Sequence, residues 1–291
     1  MIDPQSVQEH YTLGDLTVRI LQALDSAGLG QSQLDWQDLA PIDQFHVGGI
    51  SATKELAQSL SFQPGSTVLD IGCGLGGPAR YLAAVHGSQV TGIDLSRPFI
   101  DAAQKLGRRT GLNDRLTFVQ GDALDLPFPD AGFDNAWTQH VAMNIADRAR
   151  FYSEIRRVLK PGGKLAIYDV LAGDGRPLAY PVPWAARPDL SHLLTLEAMH
   201  DVLGRTGFTI HSWEDTTDKG ISWFSEQLAA RRVSMTPKSL SLAVVMGPDF
   251  ASMAANLVQN LKDGRARLVQ AVAERSTDSF RSDEQVTGGR E

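Results

Sequence analysis

The chain has 291 residues, of which 42% are hydrophobic, 7% aromatic and 21% charged, with a formal net charge of −7 and one cysteine, Cys73. That length and apolar share suit one large core with appended segments rather than two equal domains, and the negative balance excludes a generic nucleic-acid-binding surface. A single cysteine excludes an internal disulfide and a thiolate-cluster metal site; Met1 to His10 lack a signal peptide's basic start and apolar run, no window reaches the ~18 uninterrupted apolar residues of a membrane span, and a cytoplasmic protein is expected.

Residues 1–62 read as an N-terminal helical cap. Leu16, Ile20 and Leu24, with Val18 and Leu21 beside them, form an apolar stripe that Gly28 stops. Leu39 to Gly49 is too irregular for an element of its own. Its Asp43, Gln44, Phe45, His46 and glycine pair suit a loop that closes over a ligand. Ser51 is positioned to cap a further helix carrying Leu56 and Leu60.

A strand over Thr67–Asp70 runs into Gly72-Cys73-Gly74-Leu75-Gly76-Gly77-Pro78 and then a helix from Ala79 to Val85. Glycines turn the chain and leave room for a ligand against the backbone, and amides at such a helix start form a cradle for a phosphate or carboxylate. Gly72-x-Gly74-x-x-Gly77, with Asp94 about 20 residues further on, also satisfies the dinucleotide fingerprint, so the loop alone leaves two nucleotide-type ligands open.

Further strands are expected at Gln89–Asp94, Leu116–Gln120, Phe133–Thr138 and Lys164–Val170. Between them lie helices from Pro98, with Phe99, Ala103 and Leu106 inward, and from Asp147, with Phe151, Ile155 and Leu159 inward. This alternation implies right-handed crossovers and a parallel sheet, with the core over 63–220. A helix over Thr195–Thr206 and a strand near Phe208–Trp213 follow. Residues 221–263 form a mostly helical insertion with Trp223, Phe224, Met235, Met246, Phe250, Met253 and Leu257, readable as core, subunit contact or a roof over the substrate pocket. A last strand falls within 264–275, and the polar tail 276–291 is expected to be disordered.

Asp70 directly before the glycines, the run Leu126-Pro127-Phe128-Pro129-Asp130 leading to Phe133-Asp134, and the Lys160-Pro161-Gly162-Gly163 turn occur together over residues 63–275. In these features the chain resembles the class I S-adenosylmethionine-dependent methyltransferases, type 11 group. That group includes sarcosine and dimethylglycine N-methyltransferases, tocopherol and quinone C-methyltransferases and natural-product O-methyltransferases. The resemblance implies an α/β, doubly wound, Rossmann-like fold with a seven-stranded, mostly parallel sheet, its last strand antiparallel between the fifth and sixth. It also implies S-adenosyl-L-methionine as cofactor.

In such a sheet, ligands bind beyond the carboxyl ends of the strands. Asp94 can accept both hydroxyls of a ribose diol, or else cap the next helix; Leu95 would pack on the adenine. Asp122 and the Ala123 amide match the adenine edge, with a capping Asp as the competing reading for Asp122. The resemblance implies that Gly72 and Gly74 lie under the methionine portion, and Asp70 and Gln139 are the candidates for its α-amino end.

An acceptor hydroxyl or ammonium must lose a proton. The resemblance implies a His and an Asp here, which points to His140 and Asp169, with His46 as a third candidate or a structural histidine. Tyr11, Phe45 and Trp184 are candidates for contact with the substrate, and aromatics such as Trp137, Trp184 and Trp213 can hold an amine or fill the core. No His/Asp/Glu cluster has metal-ligand spacing. The expected function is methyl transfer to oxygen or nitrogen of a small-molecule substrate, with no nucleic acid or membrane partner and a homodimer compatible with it. The alternatives are a C-methyltransferase on a quinone or phenol, a nicotinamide-dependent oxidoreductase, for which no Tyr-x-x-x-Lys is present, and a non-catalytic cofactor-binding module.

Overall fold

A computed structural model describes residues 16–30, 33–233 and 240–277; Tyr11, Met235 and all but the first two residues of the expected tail lie outside them. Seven strands alternate with helices: β1 (Thr67–Ile71), β2 (Gln89–Asp94), β3 (Leu116–Gln120), β4 (Phe133–Gln139), β5 (Leu159–Ala172), β6 (Phe208–Asp215) and β7 (Ala266–Arg275). They form one sheet in the order β3-β2-β1-β4-β5-β7-β6. The first five are mutually parallel, and β7 runs antiparallel to both β5 and β6. The chain order reverses between β1 and β4, so the carboxyl ends of these strands open on one crevice.

Ten α-helices are described: α1 (Leu16–Ser26), α2 (Trp36–Asp43), α3 (Gly49–Gln58), α4 (Gly77–His86), α5 (Arg97–Arg109), α6 (Arg148–Val158), α7 (Leu196–Arg205), α8 (Thr217–Val233), α9 (Ala243–Met246) and α10 (Phe250–Lys262). Successive strand residues point to opposite faces. Val68, Trp137, Ala166 and Tyr168 therefore join one core layer with Leu56 of α3, Leu82 of α4 and Leu257 of α10. Leu69, Ala136 and Ile167 join the other with Phe151 and Ile155 of α6 and Met199 of α7. A third cluster holds α1 and α2 to α5 through Leu16, Ile20, Leu24, Leu39, Ile42, Phe99 and Leu106.

Two local expectations need correction. Residues 36–43 are helical, because Asp35 and Asp38 form a reciprocal capping box at the start of α2, with Pro41 carried inside the helix. Ser51 does not cap α3: the helix already begins at Gly49, behind Gly48 in the left-handed conformation, and Ser51 lies exposed in its first turn. The insertion resolves into most of α8, then α9 and α10, so α8 crosses the expected boundary at 220/221.

Leu69 is fully buried at the centre of the second core layer. Leu69→Ala is expected to cost about 2–5 kcal/mol, the range for deleting a buried leucine side chain, read from the shift in the denaturant unfolding midpoint.

Candidate active site

Beyond β1 and β4 lies a cavity of about 320 Å³ lined by Asp70, Gly72, Gly74, Asp94, Leu95, Asp122, Ala123, Gln139 and His140, with Phe45 and His46 from the segment between α2 and α3. The structure thus brings every expected cofactor residue to one cavity, together with two of the three expected catalytic residues.

The loop after β1 is shaped by close approach. Gly72 (φ 69°) faces the Val141 side chain and Gly74 (φ 52°) the Phe45 ring, each where a Cβ would collide. Its amides are not a free anion cradle, however. Gly72 N and Cys73 N both donate to the Ile93 carbonyl at 2.8 and 3.0 Å, and Gly74 N donates to Asp94 Oδ2 at 2.9 Å. The Ala79 N–H, at the start of α4, faces the Asp70 carboxyl. These four amides are taken up by the protein's own oxygens. The loop therefore presents carboxylates to the cavity and suits a cation rather than a pyrophosphate.

Asp70 is 2% exposed, and its Oδ2 has no hydrogen-bond partner. Burial, then the charge of Asp94, pushes its pKa up to about 7, against a weaker pull from the Ala79 amide and Arg80. Asp94 is also raised by burial, against hydrogen bonds from Ser96 N and Gly74 N. Ser96 N donates to Asp94 Oδ1 at 2.8 Å, so the cap-like role of Asp94 exists alongside its place at the cavity wall. Asp122 likewise accepts from Leu124 N at 2.9 Å while lining the cavity.

A buried polar network ties the cap to the sheet. Arg80 of α4 is fully buried and donates to Asp43 at 2.7 Å. Gln44 Nε2 donates to the other Asp43 oxygen at 3.0 Å, and Gln44 Oε1 accepts from Thr53 at 2.8 Å. Gln139 Oε1 accepts from Trp137 Nε1 at 2.9 Å and lies 3.3 Å from Thr53 Oγ1, which fixes its amide and leaves the buried Nε2 without a partner. Gln139 therefore offers a donor, which suits the carboxylate beside an α-amino group rather than the amino group itself.

The two histidines meet at the far end. Their rings are 6.1 Å apart, and His140 also lies against Tyr168 at 4.7 Å. Both His46 nitrogens are engaged: Nδ1 lies 3.3 Å from the Val47 carbonyl, Nε2 3.0 Å from Thr53 Oγ1 and 3.2 Å from Gln44 Oε1. Burial lowers its pKa to about 4, against the Val47 contact. His140 takes a left-handed backbone (φ 53°), held by its N–H to the Tyr168 carbonyl at 2.7 Å, and its buried Nε2 has no partner. Burial, then the charge of His46, holds its pKa well below 6.5. Both imidazoles are neutral near pH 7.

Asp169 is not brought to the cavity. It follows Tyr168, which faces the histidines, so strand alternation turns it to the other face. There it is 2% exposed, pairs with buried Arg148 of α6 at 3.3 Å and accepts from Val170 N. Trp184 lines an adjoining cavity of about 70 Å³ shared with Phe45, His46 and His140. Arg80, Thr53 and Val141 were not expected at the site. Val141, directly after His140, could have been read as a neighbour; a buried arginine one turn into α4 carries no signal in a single sequence. No group of three or more His, Cys, Asp or Glu among the described residues can hold a metal ion, and none of the described helices is long and apolar enough to cross a membrane.

The unpartnered Asp70 and Gln139 atoms and the close approach that Gly72 and Gly74 allow fit the amino-acid end of S-adenosylmethionine. Residues 69–167 match the family described as "Methyltransferase domain". Over 186 residues the chain is 32% identical to the O-methyltransferase rstn1 of Aspergillus nomiae, covering 63% of this chain and 82% of that protein. It is 39% identical over 136 residues to Methyltransferase GfsG of Streptomyces halstedii, covering 47% of this chain and 49% of GfsG; the chain thus spans about half the length of this relative, and less than half of two sterol 24-C-methyltransferases it also matches. Among solved structures, the [4+2]-cyclase SpnF aligns with a TM-score of 0.64 and 28% identity over 94% of this chain and 96% of that one.

Asp43 is the partner that neutralises buried Arg80. Asp43→Ala is expected to cost about 3–5 kcal/mol, because it strands a buried cation; urea unfolding of the variant against the parent measures this. A loss below about 1 kcal/mol would mean that the guanidinium finds other partners.

Proposed function

This chain belongs to the S-adenosylmethionine-dependent methyltransferase family, and from that premise we propose that it moves a methyl group from this cofactor to an oxygen or nitrogen of a small-molecule acceptor. The observation that carries the reading is the charge of the cavity: Asp43, Asp70 and Asp94 stand at its wall, with Arg80 the buried cation paired to one of them. A sulfonium and an ammonium suit that surplus, whereas the pyrophosphate of the nicotinamide alternative does not.

S-adenosylmethionine supplies a methyl already activated on sulfur, so the chain's work is to position, to exclude water and to take a proton. In this reading Asp70 accepts from the α-amino group and Gln139 donates to the neighbouring carboxylate. Asp94 accepts from the ribose diol through lone pairs not used by Gly74 and Ser96, Asp122 and the Ala123 amide meet the adenine edge, and Leu95 lies on its face. His140 Nε2 takes the acceptor's proton. His46, with both nitrogens engaged, positions His140 and the wall around it, and Phe45 and Trp184 contact the acceptor. The single buried thiol, Cys73, suits a reducing compartment, so a cytoplasmic site of action belongs to the same reading.

The match to SpnF across nearly all of both chains favours a second reading, in which the same cavity promotes ring closure of a bound substrate. A screen of small hydroxyl compounds and amines separates the two. Methyl transfer yields S-adenosylhomocysteine and methylated product in equal amounts; ring closure yields an isomer and consumes no cofactor.

Asp70 is raised to about 7 in the ligand-free cavity, and only its ionised form accepts from an ammonium. Affinity for S-adenosylhomocysteine is therefore expected to rise about tenfold from pH 6 to pH 8 and to level off above, by proton linkage. Asp70→Asn should bind more weakly at pH 8 and lose that slope in calorimetry. A parent profile as flat as the variant's would remove Asp70 from the amino-group site.

On an acceptor found by the screen, His140→Ala should lower kcat by about 10²- to 10⁴-fold, the worth of a positioned base, with S-adenosylhomocysteine affinity held within about twofold. Because the imidazole is neutral throughout, the parent kcat should stay level from pH 8 to 6.5. An undiminished rate in the variant would exclude the assignment.

A further inference from the structure

The adjoining cavity differs from the first in chemistry. Its wall includes Met143, Trp184, Trp223, Phe224, Phe250 and Leu257, and no Asp, Glu, Lys or Arg is among the residues that line it. Of its polar groups, Trp184 Nε1 donates to Ser191 at 2.9 Å, and both His46 nitrogens have neighbours. His140 Nε2 is the buried side-chain polar atom on this wall without a partner. The chamber adjoins the first cavity: Phe45, His46, His140 and Met246 line both.

We infer that the acceptor is an uncharged, lipophilic hydroxyl compound that seats its apolar body between Trp184, Trp223 and Phe250 and presents its hydroxyl to His140. The inference rests on the methyltransferase reading and narrows it from any oxygen or nitrogen acceptor to an uncharged one, the hydroxyl being the form that hands a proton to the neutral imidazole. An ammonium, carboxylate or phosphate here would be taken out of water with no counter-charge, a loss of several orders of magnitude in affinity. Indole and phenyl faces offset this for a cation by about 30-fold when desolvated, and a bound sulfonium next door opposes it. The histidines supply no charge for an anion, since burial keeps them neutral.

The step balances within these groups. The hydroxyl oxygen forms the new C–O bond as the C–S bond breaks, its proton passes to His140 Nε2, and the positive charge lost from sulfur is carried by the imidazolium. A neutral imidazole facing a neutral hydroxyl thus changes charge only once the sulfonium has been discharged.

The test uses the full chain saturated with S-adenosylhomocysteine and three probes on one bicyclic body: 2-naphthol, 2-(aminomethyl)naphthalene and 2-naphthoate, with binding read by calorimetry at pH 7.5. The naphthol is expected to bind at least about tenfold tighter than either charged probe. Phe250→Asp, at a partly exposed wall position, should reverse the order in favour of the ammonium while leaving S-adenosylhomocysteine affinity within about twofold, which also reports an intact fold. A charged probe that binds the parent as well as the naphthol does, no naphthol binding at all, or an unchanged order in Phe250→Asp overturns the acceptor assignment alone. Failure of S-adenosylhomocysteine itself to bind overturns the methyltransferase reading beneath it.

Discussion

The site is organised by where the backbone amides of the first loop spend their hydrogen bonds. A glycine-rich turn at a helix start would ordinarily attract an anion, but here the Ile93 carbonyl takes Gly72 N and Cys73 N, and Asp94 takes Gly74 N. The Ala79 N–H faces Asp70. The protein has filled its own anion site with carboxylates, and those carboxylates become the cavity wall. Parallel pairing of β1 with β2 in register, Asp70 against Gly92 and Ile71 against Ile93, sets Asp94 beside the turn. From that follows the raised Asp70, the surplus of negative charge and the preference for a cationic ligand.

The segment from α2 to α3 completes the wall because it is bolted down by buried polar contacts rather than apolar packing alone. Asp43 to Arg80, Asp43 to Gln44, Gln44 to Thr53 and Thr53 beside Gln139 form a continuous path from the cap through α4 and α3 to β4. Such a network has a low-dielectric setting in which each missing partner is costly. It leaves Gln139 Nε2 without a partner, as Asp70 Oδ2 and His140 Nε2 also are, and these three residues line the cavity; Arg80 Nε and Nη1 are likewise unpartnered, away from its wall. The outcome is a division of labour: an acidic, hydrogen-bonding half and an aromatic half roofed by the insertion, with the two imidazoles between them.

Much of this was legible one residue at a time. Strand ends that terminate in Asp70, Asp94 and the Gly121-Asp122 pair mark the crevice because a parallel sheet gathers its carboxyl ends, and alternation of strand and helix implies that parallel sheet. The α2 helix was obscured by Pro41, although its capping box, Asp35 and Asp38, was present in the sequence. Asp169 shows the limit of placing a residue at a strand end without its face: a one-residue offset from Tyr168 turns it away from the histidines and into an ion pair with Arg148. Arg80 was hidden for another reason, since nothing local distinguishes a solvated arginine on a helix from one buried against an aspartate 37 residues earlier.

Sequence alone determined the α/β class, the glycine loop and the acidic strand ends, because these depend on local conformational preference and on periodicity of two or 3.6 residues; the family followed from the resemblance carried by its motifs. Tertiary structure decided which amides were already bonded, which of His140, His46 and Asp169 reach the cavity, and that the adjoining chamber carries no ionic side chain. Those outcomes depend on contacts between residues tens to hundreds of positions apart, and on desolvation that exists only once the chain has closed over them.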